Sequence, residues 1–481
     1  MKKIGIFIAS WHKGFLIALA YQLKKSYGFE VTIIARDTHV ADLAYKILPS
    51  NSNIDVLDYS NVIVEMDTEK AFKEAERIEN TYNIKLSMLI SEDRALGQGY
   101  LTNVQNIPDI KRASWPYKRK ITYFINDFIK NEKVLNDLDI VIQKWPDKTV
   151  TTICKTKRIN FYSFVPIKFG GRMFWSDDNF ISGSKYIERI KKYSLDCKGK
   201  KIIKYESDNW NEKVNKSLRY SYSNVFKRAL TLIKNDSKKF IRGSNKKDSY
   251  HYLGWLPCVF KGLLNYNYVK DNSVLPDDVL EYKIVLFNLH LEPEVALQGI
   301  SPEFSNSMEA ISWISKSLPV NYIIVVKEQI YSYGVRSKWY YRQLMKMPNV
   351  VLSDPYVHSW QWIKSSSIVA AITGTLGQEA VNFEKPVISF GSHQIINYLP
   401  TVHHVSNYIE TNQAIDKIIN ASTTKDNYKK SRIILSNAQV ESSIDMPKYK
   451  YSAKHDTLDT SLAMEASSHI VKEYPEVFSS S

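Results

Sequence analysis

The chain opens with an alternation of short apolar runs and amphipathic segments. Residues 3–9 (KIGIFIA) and 30–35 (EVTIIA) are apolar runs, and residues 14–25 between them have helical periodicity. A strand, a helix and a second strand in this order indicate a βαβ unit with parallel strands. The same patterns predict further strands at 54–57, 61–64 and 138–143 and helices at 68–80 and 117–135. Residues 1–145 are therefore predicted to form an N-terminal α/β domain.

The alternation returns after residue 281. It predicts strands at 283–289, 321–327, 349–352, 367–373 and 386–390, and helices near 305–317, 337–346, 357–364 and 376–383. Strands that alternate with helices are typical of a doubly wound parallel sheet. Residues 281–425 are thus predicted to form a second α/β domain, and two such domains predict a ligand cleft between them.

The segments outside these domains have weaker patterns. Residues 146–280 are predicted to be an irregular or helical middle segment packed on the N-terminal domain, with a strand-and-loop stretch from Tyr162 to Phe174. Residues 426–481 are predicted to be a polar tail with one helix at 457–473.

Charge is concentrated in the middle segment. The chain has 65 Lys and Arg against 50 Asp and Glu, and residues 212–248 hold eleven basic residues against three acidic ones. This segment has two interpretations: a basic surface that binds anionic membrane lipid, or a solvated helix face. Nucleic acid is not expected as a partner, because the aromatic residues here fit no RNA-binding signature.

Composition restricts the class of protein. A hydrophobic content of 44% excludes a disordered or low-complexity chain. The three cysteines are too far apart for a disulfide framework or a metal cluster. No apolar run reaches the roughly 18 residues of a spanning helix. His12 and Lys13 interrupt the apolar stretch at the start of the sequence. The sequence therefore predicts a cytoplasmic protein.

One strand end has the composition of a phosphate site. The run Thr373-Gly374-Thr375-Leu376-Gly377-Gln378-Glu379-Ala380 turns an apolar strand directly into a helix. The free N–H groups of such a helix start attract phosphate, and a carboxylate one turn later can bind a ribose diol. A helix cap without a ligand is the equal alternative.

Charged residues also follow two other strands of this domain. Lys327 and Glu328 end one predicted strand, and His290 follows another within Asn288–Glu294. Ligands bind at the carboxyl ends of parallel strands, although a solvated strand end is the simpler interpretation of each single residue. In the N-terminal half, Glu92 and Asp93 precede a turn bracketed by glycines, where one carboxylate could act in catalysis. A charged helix end is the alternative.

In this order, these motifs resemble the bacterial capsule polysaccharide biosynthesis family of surface-glycan glycosyltransferases, which includes retaining β-Kdo transferases. The resemblance is best over about 282–405. The matching runs are Leu289–Glu294, Leu318-Pro319, Lys327-Glu328, Gly377–Ala380, Lys385–Ile388 and Phe390-Gly391, with Asp93–Tyr100 in the N-terminal half.

The resemblance implies a GT-B fold, with two Rossmann-like domains that face each other across a cleft. A nucleotide-sugar donor would bind the C-terminal domain, and a glycan or lipid-linked glycan acceptor the N-terminal one. The donor-binding residues would be Lys327, Glu328, Thr373, Gly374, Thr375, Gln378 and Glu379. The catalytic residues would be Asp93, Glu92 and His290. The enzyme would need no metal or other cofactor, because helix starts and basic side chains neutralise the leaving group.

One departure from the family concerns the donor. Gln329-Ile330 stands where the family has His-Pro, and glutamine can supply neither a proton nor a charge. Another histidine (His290, His393, His403 or His404) substitutes, or the donor is not CMP-Kdo, or catalysis is impaired. A non-catalytic capsule export protein and a UDP-sugar epimerase therefore remain alternative functions.

Overall fold

The computed structural model describes most of the chain. The described residues are 1–9, 12–93, 96, 115–167, 171–196, 220–241, 256–290, 297, 299–304, 306–330, 332–420, 425–446, 458 and 460–478. They form two compact units.

The strands are β1 (Lys3–Ile8), β2 (Glu30–Ala35), β3 (Asp55–Asp58), β4 (Ile140–Gln143), β5 (Asn160–Pro166), β6 (Arg172–Ser176), β7 (Ser273–Val274), β8 (Lys283–Asn288), β9 (Tyr322–Lys327), β10 (Val350–Ser353), β11 (Ile368–Ala371), β12 (Val387–Ser389), β13 (Val402–His404) and β14 (Ser443–Asp445).

The α-helices are α1 (Lys13–Tyr27), α2 (Thr38–Ile47), α3 (Thr68–Tyr82), α4 (Leu86–Glu92), α5 (Tyr117–Val134), α6 (Lys148–Lys157), α7 (Ser184–Leu195), α8 (Tyr222–Ile241), α9 (Leu256–Asp271), α10 (Met308–Ser317), α11 (Lys338–Leu344), α12 (Ser359–Ser365), α13 (Leu376–Asn382), α14 (Tyr408–Asn420), α15 (Lys425–Ser442), α16 (Thr460–Glu473) and α17 (Pro475–Phe478).

The first unit comprises Met1–Leu89, Tyr117–Tyr205 and Ser436–Ser481. Its sheet has the order β14-β6-β5-β4-β1-β2-β3, in which the pairs β14–β6 and β6–β5 are antiparallel and the other pairs are parallel. Helix α1 is buried on nearly all sides, since α16 packs on it as well as the sheet. The indole Nε1 of Trp175 on β6 donates to the Ala466 carbonyl of α16 at 3.1 Å, which ties the helix to the sheet.

The second unit comprises Ile90–Pro116 and Glu206–Leu435. Its sheet has the order β13-β12-β11-β8-β9-β10-β7, and all of these strands are parallel. Apart from polar residues at the ends of β8 and β9, the residues of β8, β9 and β11 are apolar and buried, as expected for strands covered on both faces. The two sheets confirm the prediction of two doubly wound α/β domains. That these domains face a shared cleft stays a prediction.

Three sequence predictions differ from the structure. The strand predicted at 61–64 is wrong: side chains of α5 bind the carbonyls of Ile63 and Val64, and the Ile63 side chain is 76% exposed. Residues 146–280 are not one irregular segment, because β5 and β6 belong to the first sheet, α7 belongs to the first unit, and α8, α9 and β7 belong to the second unit. Residues 426–481 are not a separate tail, since 426–435 belong to the second unit, β14 pairs with β6 and α16 packs on α1.

Within the described residues, no helix combines the length and the apolar character that crossing a bilayer requires.

Candidate functional site

Three strand ends of the second sheet meet at one edge. Strand β8 lies between β11 and β9, and all three run parallel, so their carboxyl ends are neighbours. His290 follows β8, Lys327 ends β9, and Thr373 follows β11. The structure therefore brings together residues that the sequence predicted from three separate motifs.

The closest contact at this edge joins His290 and Thr373. The Thr373 amide donates to His290 Nε2 at 3.3 Å, and the Thr373 hydroxyl lies 3.3 Å from Nδ1. Both residues are buried. Because an amide N–H can only donate, Nε2 is an acceptor, and a neutral imidazole then carries its proton on Nδ1. Thr373 thus fixes the orientation of the His290 ring.

The turn after Thr373 depends on a glycine. Gly374 has φ +94°, a backbone conformation that is strained for any residue with a side chain. A Cβ added at this position would lie 3.6 Å from His290 Cε1. Thr375 then begins α13 without a capping bond from its side chain. Thr375, Gln378 and Glu379 are half-buried, whereas Thr373 is buried. The hydroxyl of Thr375 is therefore better placed for a ligand than that of Thr373.

Glu328 occupies a different place from the one predicted. Its carboxylate is buried and accepts from Arg336 Nε at 2.6 Å, from the Tyr341 hydroxyl at 2.8 Å and from the Gln329 amide at 2.8 Å. Burial raises the pKa of Glu328, and Arg336 opposes this increase. With these protein donors around it, Glu328 holds the strand end together and does not present its carboxylate to a nucleotide.

Arg336 joins this ion pair to the histidine. Its guanidinium also donates to the main-chain carbonyl of His290. The side chains of Arg336 and Glu328 are 5% and 2% exposed, so water cannot replace their bonds. Arg336 and Tyr341 were missed at the sequence level because neither lies in a strand-end motif.

The two residues beside Glu328 are also engaged. Lys327 is half-buried with its Nζ 3.4 Å from the Pro355 carbonyl, and burial lowers its pKa to about 8 while Asp354 opposes this. The amide nitrogen of Gln329 donates to the Leu289 carbonyl at 3.2 Å. Gln329, where the resembling family has histidine, thus connects the ends of β8 and β9.

The predicted acidic pair lies at the end of α4. The Asp93 carboxylate accepts from the Leu96 amide at 2.7 Å, a local contact that closes a turn, and both carboxylate oxygens of Glu92 are shielded from solvent. No described contact joins this pair to His290 or Thr373, so the catalytic role of Asp93 and Glu92 stays a prediction. The adjacent run 97–114 lies outside the described residues.

The first sheet has its own buried cation at its carboxyl edge. Lys144 follows β4, is 8% exposed and donates from Nζ to the Phe164 carbonyl at 2.7 Å. Burial lowers its pKa to about 7. The pKa of His12, which follows β1, is lowered to about 4 by burial and by Lys144. The rule that selected Lys327, a charge ending an apolar strand, would also have selected Lys144.

Histidine, cysteine and carboxylate side chains form no group with the arrangement of a metal site in the described part of the chain. This finding leaves the predicted metal independence a prediction.

Comparisons with known proteins give no family. No protein-family model matches the chain, and no curated protein matches it. The solved structures it is similar to include MnaA of S. aureus with UDP, with 13% identity, coverage of 99% of this chain and 98% of that chain, and a TM-score of 0.27.

Two further similar structures are described as transferases. A glycosyltransferase from Rickettsia africae has 13% identity, coverage of 100% and 99%, and a TM-score of 0.31. The β-Kdo 2,7 transferase KpsC from Thermosulfurimonas dismutans has 13% identity, coverage of 63% and 80%, and a TM-score of 0.29. These low TM-scores carry no argument, so function must be inferred from the residues of the site.

Proposed function

We propose that the chain is a GT-B-type glycosyltransferase of bacterial surface polysaccharide assembly, acting at the cytoplasmic face of the cell membrane. It transfers a sugar from a nucleotide-sugar donor, CMP-Kdo or another, to a glycan or lipid-linked glycan. The observation that carries the proposal is the meeting of His290, Lys327 and the Thr373–Thr375 turn at the carboxyl edge of one parallel sheet. Nucleotides bind at this edge in doubly wound folds.

The donor's leaving group is anionic, and three features of this edge suit an anion. The amides at the start of α13 lack intrahelical acceptors, the Thr375 hydroxyl is not used as a cap, and Lys327 supplies a cation. A bound phosphate would keep Lys327 protonated by opposing the effect of burial. In this proposal Thr375, Gln378 and Lys327 hold the phosphate, and Glu379 binds the ribose.

His290 and the acidic pair would act on the sugar. His290 is held by Thr373 from the side and by Arg336 through its carbonyl, so its ring has a fixed orientation next to Gly374. A neutral His290 has one ring N–H, on Nδ1 beside the Thr373 hydroxyl, and in this proposal that N–H turns from Thr373 to the leaving oxygen without adding a charge. Asp93, with Glu92 beside it, would supply the carboxylate that attacks the sugar or deprotonates the acceptor.

Nucleotide binding tests the donor site directly. We expect one of CMP, UDP or GDP to raise the melting temperature of the protein, since a ligand that binds only the native state stabilises it. In Thr375→Ala and Glu379→Ala, the same rise in melting temperature should require at least ten times more nucleotide. Ser365→Ala is the matched control, because Ser365 is exposed at the far end of α12. Equal shifts in all variants would contradict the site.

Transfer assays separate the proposed activity from its alternatives. Asp93→Asn and Glu379→Ala should each abolish sugar transfer and leave the far-UV circular dichroism spectrum unchanged. Nucleotide binding without transfer or donor hydrolysis would indicate a non-catalytic accessory protein. Interconversion of a free UDP-sugar without acceptor would indicate an epimerase. Full activity in both variants would refute the assigned residues.

A further inference from the structure

Helix α8 exposes an apolar stripe. Four large side chains on it are exposed: Tyr222 (78%), Phe226 (62%), Leu230 (51%) and Ile233 (44%). Their spacing of four, four and three residues places them on one side of the helix. A soluble helix normally turns such residues toward the core, so this stripe needs an explanation.

The side of α8 next to the stripe already has a partner. Val225 and Ala229 are buried, and Val225 belongs to the apolar core of the second unit. Helix α9 packs beside α8 and itself exposes Phe260 (51%) and Leu264 (69%). Because the neighbouring side of α8 already packs on the core, the stripe is an additional apolar surface beside the packed one.

The charge of this region favours an anionic occupant. Helix α8 contains five basic residues and one acidic residue. Lys227 and Lys234 are exposed, and each directly follows a stripe residue, which places both along the same border of the stripe. Arg228, in contrast, is half-buried with its guanidinium over the Tyr220 ring. Residues 212–248 as a whole have eleven basic and three acidic residues.

We propose that α8 docks the protein on an anionic lipid bilayer. The stripe of Tyr222, Phe226, Leu230 and Ile233 enters the headgroup boundary, and Lys227 and Lys234 contact the lipid phosphates. A helix with aromatic and aliphatic residues beside lysines is the type that lies in a membrane interface, and anionic lipid adds to its apolar attraction. This surface is independent of the proposed transferase activity, so its test uses no sugar.

Vesicle flotation with the whole chain tests the docking. We expect binding to vesicles rich in phosphatidylglycerol, weaker binding to pure phosphatidylcholine, and a partial loss with added salt. Lys227→Glu/Lys234→Glu should lower the partition coefficient at least about 25-fold, from roughly fivefold for each basic residue lost. Phe226→Ser/Leu230→Ser should lower it at least tenfold even at low salt.

Matched controls separate this surface from general charge and hydrophobicity. Lys316→Glu/Lys346→Glu changes the net charge equally within the same unit, and Leu280→Ser/Val320→Ser removes two exposed apolar side chains elsewhere. Both controls should bind like the parent protein. All substituted positions are exposed, so unchanged melting curves are expected. If the Phe226/Leu230 variant melts early, Tyr222→Ser alone provides the apolar test.

Several outcomes would overturn the proposal. The first is that the protein does not bind phosphatidylglycerol vesicles. The second is that the control variants lose as much vesicle binding as the test variants. The third is that the lysine variant weakens vesicle binding but the apolar variants do not. RNA binding that only the lysine variant abolishes would assign the surface to nucleic acid. A dimer that the apolar variant converts to a monomer would assign it to a second copy of this chain.

Discussion

The buried Glu328–Arg336 ion pair should be the most sensitive point of the second unit. Glu328→Gln leaves the Arg336 charge in a site that is only 5% exposed, where water cannot solvate it. Breaking a buried pair from one side costs about 3–5 kcal/mol. Arg336 keeps its bond to the His290 carbonyl, so we expect the lower end, about 3 kcal/mol. The double variant Glu328→Gln/Arg336→Met should lose about 2 kcal/mol less free energy of unfolding than the two single variants lose together.

The dependence on pH separates the two single variants. In Arg336→Met the Glu328 carboxyl loses the cation that opposes the effect of burial, so its pKa rises further above the ordinary value. The folded state then binds more protons than the unfolded state, and stability falls as pH rises through the folded pKa. The loss in Arg336→Met should therefore shrink on acidification from about pH 8 to about pH 5. The loss of stability in Glu328→Gln should not shrink over this pH range, because the Arg336 guanidinium does not titrate there.

Urea denaturation at both pH values measures these losses. Hydrogen–deuterium exchange of β8 and β9 identifies the transition that belongs to the second unit. Glu384→Gln is the control, because its ion pair with Arg432 is about one third exposed and should contribute less than about 1 kcal/mol. Losses below about 1 kcal/mol in both single variants, or strict additivity in the double variant, would refute the structural role of the pair.

Three further outcomes are expected. Gly374→Ala, at φ +94°, should cost about 1–2 kcal/mol in thermal unfolding and weaken nucleotide binding; an unchanged melting temperature would contradict the turn geometry. Lys144 binds fewer protons in the folded state than in the unfolded state from about pH 7 upward, so stability should rise between about pH 7 and the ordinary lysine pKa. Lys144→Met should flatten that rise, measured by urea denaturation across this range. Trp175→Phe removes the donor to the Ala466 carbonyl and should cost about 1–3 kcal/mol, and exchange of the α16 amides should show the loosened helix.

The sequence predicted the long buried parallel strands well, but it missed the short parallel strands β7 and β13 and the antiparallel strand β14. Strands β8 and β9 are covered on both faces, so they are continuous apolar runs that a single sequence reveals. Strand β14 has three residues, Ser443–Asp445, and only one of them is apolar. Its partner β6 lies about 270 residues earlier, and no local pattern encodes a pairing of that separation.

The candidate site was predictable in position but not in bonding. The sequence predicts site residues at the ends of buried strands, namely His290, Lys327 and Thr373. The order of strands in the sheet then makes these residues neighbours. The partners of Glu328 could not be selected in this way. Arg336 lies in a loop and Tyr341 in the short helix α11, so their contacts depend on how that loop folds.

The return of the chain to its first sheet has a consequence for biosynthesis. Strand β14 and helix α16 complete the first unit, yet they follow the whole second unit in the chain. At about 5–20 residues per second, a ribosome needs on the order of 10–50 s between Tyr205 and Ser436. During that interval the apolar surface of α1 that α16 later covers has no native cover, so nascent chains should need a chaperone there.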